Sequence, residues 1–224
     1  MSVKLVSHTC GIAETAGMSL GDQIAYCARV SNPGNQMNVT TAKNLLKYLA
    51  KNKHYSPFEM VSVCMEITTT RDISRQILRH RSFTFQEFSQ RYACVDDVGV
   101  ECIPRECRMQ DPLNRQNSIA ISEEGDAGQR AIAAEFLKRQ LAVISLCKET
   151  YDWALSCGIA KEVARCVLPE GLTATKLYMN GSVRSWIHYI NLRAGNGTQR
   201  EHSAVATQCA EVLSKLLDTD LTKF

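Results

Sequence analysis

Residues 79–92 hold an unusual concentration of side chains that can bind anions and polar rings. Arg79, His80 and Arg81 are consecutive, and hydroxyl, amide and carboxylate side chains follow before Arg91. Arginine offers a planar fork of N–H donors that fits phosphate oxygens, while carboxylate and hydroxyl groups can hydrogen-bond the edge of a heterocycle. The segment therefore predicts a site that grips a phosphate group and a polar ring.

A helix predicted over residues 72–80 would position the first part of this segment. Arg75 and Arg79 are four residues apart and would share one face of the helix, with Gln76 and His80 in the adjacent row. A solvated basic face is the ordinary interpretation of such an arginine pair. Because the cationic run continues directly beyond the helix, we favour a binding face.

The next segment alternates in polarity and is expected to be extended. Glu87, Ser89 and Arg91 would then project to the same side, because side chains two residues apart share a face of an extended chain. Phe85 and Phe88 would supply apolar walls. These features together favour a nucleotide pocket with a phosphate clamp and a polar base reader.

Length and composition argue against several other classes of protein. The chain has 224 residues, 45% of them hydrophobic, and a net charge of +3. No linker-like stretch divides it, so we expect one domain over residues 1–224. The small net charge argues against a dedicated nucleic-acid partner, and no stretch is long enough to cross a membrane.

The ten cysteines are interpreted as reduced thiols. Most of them lie inside apolar patterns, and the first residues contain no apolar signal segment, so we expect a cytoplasmic protein. No Cys-x2-Cys pair is present, and Cys94, Cys102 and Cys107 lack the spacing of known ligand sets. We therefore expect no metal site.

Periodicity predicts an α+β fold with one mainly antiparallel sheet packed with long helices. Residues 104–126 read as a polar surface loop, and a long helix from about Gly128 to Ser156 would bury a stripe from Ile132 to Leu155. The predicted strands are 3–9, 61–70 and 172–179, and the other predicted helices begin near Ser19 and Thr41 or span 72–80, 161–168, 182–192 and 198–217.

Five ordered motifs resemble those of the flavin-dependent thymidylate synthases. The most specific is Arg79-His80-Arg81 followed, after seven residues, by Ser89. The resemblance covers roughly residues 25–205. The other matching segments are Ala28–Ser31, His54–Glu59, Glu162–Arg165 with Leu168-Pro169, and Arg184-Ser185 with Asn191–Arg193.

The resemblance implies the reductive methylation of dUMP to dTMP, without an enzyme cysteine as nucleophile. Methylenetetrahydrofolate would supply the carbon and FAD, reduced by NADPH, the hydride. It further implies a homotetramer whose active sites are shared between subunits, with Arg75 reaching dUMP in a neighbouring subunit.

The resemblance also implies roles for individual positions. Arg193 would polarise the uracil ring, Ser89 would hydrogen-bond the substrate, and His54 would lie near the flavin. At four positions this chain carries a residue that differs from the commoner one in the family. These are Gln86, Gln90, Ser182 and His188, whose side chains stay polar but extend to a different distance. The residues implied for FAD are Ser31, Ser56, Glu59, Arg79, His80, Arg81, Gln86, Glu87, Ser182, Arg184 and His188, and those for dUMP are Arg75, Gln76, Arg79, Glu87, Ser89, Gln90, Arg91, Arg165 and Arg193.

Three alternatives remain open at this stage. Cys94 could act as a nucleophile on uracil if its thiolate were stabilised. Phe83 and Phe85 could stack on bases in an RNA or DNA binder. A flavoprotein of another reaction could oxidise NADPH in the same pocket. Separately, Arg105, Arg108 and Arg115 form either a solvated loop or a contact for the glutamate tail of folate.

Overall fold

A four-stranded antiparallel sheet organises the fold. The computed structural model describes residues 1–91, 102–122, 126–195 and 197–219. The sheet has the strand order β1-β2-β6-β3, and β4 pairs with β5 in a separate hairpin. In chain order the strands are β1 (Ser2–His8), β2 (Ser62–Thr70), β3 (Thr84–Glu87), β4 (Arg108–Gln110), β5 (Ser118–Ala120) and β6 (Ala174–Ser182).

Helices from both halves of the chain pack with this sheet. Leu20, Leu46, Trp186 and Leu213, one from each of four helices, are buried in the same core as the strands. The predicted α+β class with one mainly antiparallel sheet is confirmed. In chain order the helices are α1 (Leu20–Ala28), α2 (Ala42–Lys51), α3 (Arg71–Ile77), α4 (Ala127–Ser156), α5 (Lys161–Ala164), α6 (Val183–Arg193) and α7 (Arg200–Leu217).

Strand β2 forms the centre of the sheet because its apolar residues alternate. Val63, Met65 and Ile67 are fully buried, while the residues between them are half-buried. This period of two places one face of the strand against the helices. On the neighbouring strand β6, Leu177 and Met179 are buried to the same extent and pair with Ile67 and Met65.

Local capping and one buried hydrogen bond fix where α6 begins. The Ser182 hydroxyl at the end of β6 accepts from the backbone N–H of Ser185, as N-cap residues do. One turn into the helix, the indole N–H of the fully buried Trp186 donates to the Val63 carbonyl at 3.0 Å. Strand β6 therefore leads directly into a helix whose direction is fixed against β2.

The prediction that the long helix buries an apolar stripe is wrong for the single chain. Of the predicted stripe only Tyr151 is buried; Ile132, Phe136 and Val143 are 52%, 43% and 48% exposed, and Cys147 and Leu155 are half-buried. An apolar stripe predicts that a helix face will be covered, but it does not say which chain covers it. The helix ends as expected, with Gly158 at φ +78°.

Three further local predictions are corrected by the structure. Helix α3 ends at Ile77 with Leu78 as its C-cap, so Arg79 and His80 lie beyond it rather than on its face. The polar stretch 104–126 contains the β4–β5 hairpin. The short helix predicted over 161–168 is a four-residue helix followed by a 3-10 turn over Arg165–Val167.

Candidate active site

The centre of the candidate site is a hydrogen bond between His80 and Arg193. The Arg193 Nε–H donates to His80 Nε2 at 3.0 Å, joining the turn after α3 to the last residue of α6. Both residues are half-buried, and the His80 ring meets the edge of the buried Tyr189 ring at 4.9 Å between centroids. Burial, and then the positive charge of Arg193, lower the pKa of His80. The imidazole is therefore a neutral acceptor that holds the guanidinium in one orientation.

A second layer of polar side chains lies behind this pair. The fully buried His202 hydrogen-bonds the Tyr189 hydroxyl through Nε2 at 3.1 Å and Gln76 Oε1 through Nδ1 at 3.3 Å. Gln76 Nε2 in turn donates to Gln199 Oε1 at 2.8 Å. Burial, then the positive charge of Arg193 and the electrostatic interaction with His80, lower the pKa of His202 to about 4. This network connects Gln76 to helix α7.

A carboxylate cluster occupies the other end of α6. Glu59 accepts from the Ser182 hydroxyl at 2.7 Å and from Arg184 Nη1 at 2.6 Å. Hydrogen bonds from Ser182 and then Arg184 lower the pKa of the Glu59 carboxyl. One helical turn further on, His188 meets the Tyr55 ring at 4.9 Å between centroids.

An open hollow of about 570 Å³ lies beside this cluster and is lined by Glu59, Arg184, His54 and Ser56 among others. Ser31 lies outside it, in an adjacent hollow of about 500 Å³ that shares Ala28 and Leu49 with the first. The structure therefore groups five of the residues expected near the flavin, namely His54, Ser56, Glu59, Ser182 and Arg184, with Ser31 at the neighbouring edge. No contact among the described residues joins Arg79, His80, Arg81 or Glu87 to this group. Gln86 projects from β3 and is exposed.

Glu87 lies in a half-buried ion network rather than in an open position. Its Oε1 accepts from the Ser74 hydroxyl at 2.8 Å and the Thr175 hydroxyl at 3.1 Å, and Arg71 Nη1 lies 3.9 Å away. The other oxygen lies 3.6 Å from Arg75 Nη1. The network anchors the carboxylate where β3 ends.

The extended alternation expected through residue 91 stops at Glu87. Ser89 is half-buried in irregular chain, and Gln90 is 4% exposed in the turn that follows. Arg91 bonds Glu162 at 3.0 Å, on the same short helical segment that carries Arg165. Arg91 and Arg165 therefore form a group of their own in the single chain. Tyr92 and Cys94 lie outside the described residues.

Several guanidinium groups have no acidic partner in the part of the chain that the structure describes. Those of Arg79 and Arg81 are exposed and make no hydrogen bond or ion pair with the residues described. Arg193 bonds only His80 within the same part of the chain. By contrast, Arg75 pairs with Glu170 at 2.8 Å, and that hydrogen bond raises its pKa. The guanidinium groups of Arg79, Arg81 and Arg193, which have no carboxylate partner among the described residues, are therefore available to an anionic ligand.

The three arginines predicted to lie in the surface loop differ in their contacts, which the sequence did not indicate. Arg105 bonds Asp72 and Glu201, and Arg108 bonds Glu201 at 2.7 Å. Both guanidinium groups therefore have structural partners. Arg115 is exposed and lines a hollow of about 610 Å³, so a contact with the folate tail stays a prediction that depends on Arg115.

Sequence reasoning missed the layer behind the site. Arg71, Tyr189, Gln199, Glu201 and His202 were not singled out, yet each contacts a residue that was. A signal for one of them was present. His202 lies in the buried stripe of α7, where all other members except Glu201 are apolar, and a titratable group in such a stripe requires polar partners.

Two kinds of sequence comparison agree on the family. The family model described as thymidylate synthase complementing protein matches residues 6–217. The chain belongs to this family. It is 48% identical over 216 residues to a probable flavin-dependent thymidylate synthase of Paramecium bursaria Chlorella virus 1, covering 96% of this chain and 94% of the relative. It is 45% identical to the flavin-dependent thymidylate synthase of Synechocystis sp., covering 98% and 97%.

A solved structure has the same fold as this chain. The crystal structure of a UMP/dUMP methylase, PolB from Streptomyces cacaoi bound with 5-Br UMP, superposes with a TM-score of 0.73 at 25% identity. The match covers 99% of this chain and 91% of PolB. Its form bound with 5-Br dUMP gives the same TM-score at 24% identity.

No helix among residues 1–91, 102–122, 126–195 and 197–219 is long and apolar enough to span a membrane. In the same part of the chain, no group of three or more His, Cys, Asp or Glu side chains could hold a metal ion.

Proposed function

We propose that this chain is a flavin-dependent thymidylate synthase that converts dUMP to dTMP. Methylenetetrahydrofolate is the carbon donor and NADPH the reductant in this proposal. The observation that carries it is the half-buried guanidinium of Arg193, which has His80 as its partner and no carboxylate among the described residues. A half-buried cation without an anion is costly, so an anionic ligand at this point would complete the site.

The residues of the Glu59 cluster, together with Arg79 and Arg81, are the proposed FAD site. Arg79 and Arg81 leave two exposed guanidinium groups without acidic partners, which suits a pyrophosphate. Glu59 fixes Arg184 and Ser182 beside an open hollow. When bound, FAD would supply the hydride for the reductive step. The chain's own residues would bind it, orient it and exclude water.

Arg193 is proposed to hold the negative charge that develops on the uracil ring. Its Nε–H is taken by the neutral His80, so its two terminal NH₂ groups remain for the substrate. Gln76 would contact the ring from the adjacent network. The other residues proposed for dUMP are Arg75, Arg79, Glu87, Ser89, Gln90, Arg91 and Arg165, and the other residues proposed for FAD are Ser31, Ser56, Gln86, Glu87 and His188 with His54 near its ring.

No cysteine nucleophile is part of the proposal. Burial raises the pKa of the Cys27, Cys64 and Cys102 thiols, and of the fully buried Cys209. A raised pKa lowers the thiolate fraction that a nucleophile requires. A Cys94→Ser variant that keeps its turnover would support this, and one that loses all dTMP formation would contradict it.

We infer a homotetramer with shared active sites from the exposed side of α4. Phe136, Leu146 and Trp153 are 43%, 64% and 60% exposed on a helix of thirty residues. Several large apolar side chains exposed on one helix are typical of a protein interface. Arg91 bonds Glu162 whereas Arg193 bonds His80, and no contact among the described residues joins the two arginines, which also fits a site completed by a second copy. Native mass spectrometry should give a tetramer, and a monomer would contradict the inference.

The test of the proposed function combines binding and turnover. Titration with FAD should quench flavin fluorescence, and the loaded protein should form dTMP from dUMP. Arg193→Met, which keeps the volume but removes the charge, should reduce kcat/KM for dUMP by about a hundredfold or more, a loss typical of a missing electrostatic donor. An unchanged kcat/KM in this variant would refute the role of Arg193. A cytoplasmic location, the single domain over 1–224 and the absence of a nucleic-acid partner stay predictions.

A further inference from the structure

A continuous chain of hydrogen bonds runs behind the candidate site. The Tyr189 hydroxyl and His202 Nε2 are 3.1 Å apart, and His202 Nδ1 and Gln76 Oε1 are 3.3 Å apart. Gln76 Nε2 donates to Gln199 Oε1 at 2.8 Å, and Gln199 Nε2 donates to Glu201 Oε2 at 3.0 Å. We call these five residues the Tyr189–Glu201 relay.

Glu201 determines the direction in which the hydrogen bonds run along the relay. Its carboxylate lies 2.7 Å from Arg108 and 3.2 Å from Arg105. Burial acts to raise the pKa of Glu201, but hydrogen bonds from Arg108, its own backbone N–H and Gln199, with the charge of Arg105, lower it overall. The side chain is therefore an ionised carboxylate, which only accepts hydrogen bonds.

The orientation of every other member follows from that acceptor. Gln199 must turn its NH₂ toward Glu201 and so presents its oxygen to Gln76. Gln76 must then donate to Gln199 and present its own oxygen to His202. That oxygen requires a proton on His202 Nδ1, which leaves His202 Nε2 to accept from the Tyr189 hydroxyl. Each donor in the chain therefore meets an acceptor.

We propose that His202, held as its neutral Nδ1–H tautomer, is a positioning residue that fixes the side-chain amide of Gln76 for recognition of a uracil ring. The proposal deepens the proposed function and rests on Gln76 as a dUMP contact. Beyond these bonds, the described residues leave one Nε2–H and one Oε1 lone pair of Gln76 unused, and these two groups are complementary to the C=O and N–H groups of the ring.

Two observations favour positioning over simple core packing. His202 is fully buried and both of its ring nitrogens have polar partners, so an apolar residue of similar size would leave Gln76 Oε1 and the Tyr189 hydroxyl without them. The groups facing the ring are His80 and Tyr189, with Arg193 near enough to lower its pKa. A neutral ring in this place holds one tautomer throughout the neutral pH range.

The test uses two substitutions at His202 and one matched control. His202→Leu removes both hydrogen bonds, while His202→Asn keeps an amide N–H at the position of Nδ1. His8→Gln removes a histidine on β1 whose ring, among the described residues, bonds only the neighbouring Thr9 carbonyl. The FAD-loaded proteins are titrated with dUMP by calorimetry, and the Michaelis constants for dUMP, NADPH and methylenetetrahydrofolate are measured where turnover is present.

We expect His202→Leu to weaken dUMP binding about tenfold, as for the loss of a buried hydrogen bond, with the other two Michaelis constants unchanged. His202→Asn should recover most of the affinity, and His8→Gln should match the wild type. Equal losses for all three substrates, no loss for dUMP, or no recovery in His202→Asn would overturn the proposal.

The tautomer is read independently of turnover. Long-range ¹H–¹⁵N spectra of histidine-labelled protein should show a neutral His202 with its proton on Nδ1 between pH 6 and 8, assigned by its loss in His202→Asn. A proton on Nε2 would overturn the proposal. A wild type that binds dUMP but forms no dTMP would refute the proposed function alone, because the binding and tautomer results do not depend on turnover.

Discussion

Acid should destabilise this protein through His202. The ring is fully buried and its pKa is lowered to about 4 in the folded chain, whereas an unfolded histidine titrates near 6.5. Because the unfolded state takes up the proton first, this contribution to stability is complete above pH 6.5 and is lost as the pH falls toward 4. Between pH 7.5 and pH 5.0 the linkage relation gives a loss of about 2 kcal/mol from His202 alone.

The assay is urea unfolding of wild type and His202→Leu at both pH values, followed by tryptophan fluorescence at one protein concentration. The lowered pKa of His80 contributes in the same direction, but it is common to both proteins and cancels in the comparison. Wild type should lose about 2 kcal/mol more than the variant between the two pH values. An equal loss in both proteins would refute the reasoning, because it would mean that His202 is not held neutral by burial.

Three further substitutions probe the scaffold of the site. Gly181→Ala would place a Cβ about 2.5 Å from a ring carbon of the buried Phe83, and overpacking of this kind should lower the free energy of unfolding by about 1–3 kcal/mol, measured by urea denaturation. Trp186→Phe removes the donor to the Val63 carbonyl and should cost about 1–3 kcal/mol in the same assay. Glu59→Gln removes the carboxylate that holds Arg184 and should lower the flavin-to-protein absorbance ratio after gel filtration.

Each of these expectations has a clear contrary result. A Gly181→Ala protein as stable as wild type would mean that the Phe83 ring shifts freely and is not packed tightly against Gly181. An unchanged Trp186→Phe protein would show that the indole bond contributes nothing. Full flavin retention in Glu59→Gln would show that this carboxylate is not part of the cofactor site. Glu66→Gln on β2 is the control for the loss of an acidic group.

The sequence predicted the elements with strong local patterns. Strand β2 follows from its alternation of buried residues, and the first turn of α1 follows from the Ser19 capping box with Asp22. The end of α3 was missed by three residues, because nothing in the run from Ile77 to His80 breaks a helix by itself. Patterns of this kind locate elements better than they locate their ends.

The sequence identified residues of the candidate site, but it did not predict which of them contact one another. His80 and Arg193 were identified, but their hydrogen bond depends on contact between distant segments of the chain. The relay through His202 was missed because a lone histidine in a helix carries no local signal except its place in an apolar stripe. The covering of α4 could not be predicted from periodicity, because an apolar stripe looks the same whether its partner is the same chain or another copy.

The most direct measurement of the central claim is the mass of the nucleotide formed from dUMP. The purified chain is incubated with FAD, NADPH and methylenetetrahydrofolate labelled with ¹³C in the methylene group, and the products are separated and weighed by mass spectrometry. The account predicts dTMP that carries one ¹³C, formed only when both FAD and NADPH are present. Unlabelled or absent dTMP, or dTMP formed equally well without flavin, would contradict it.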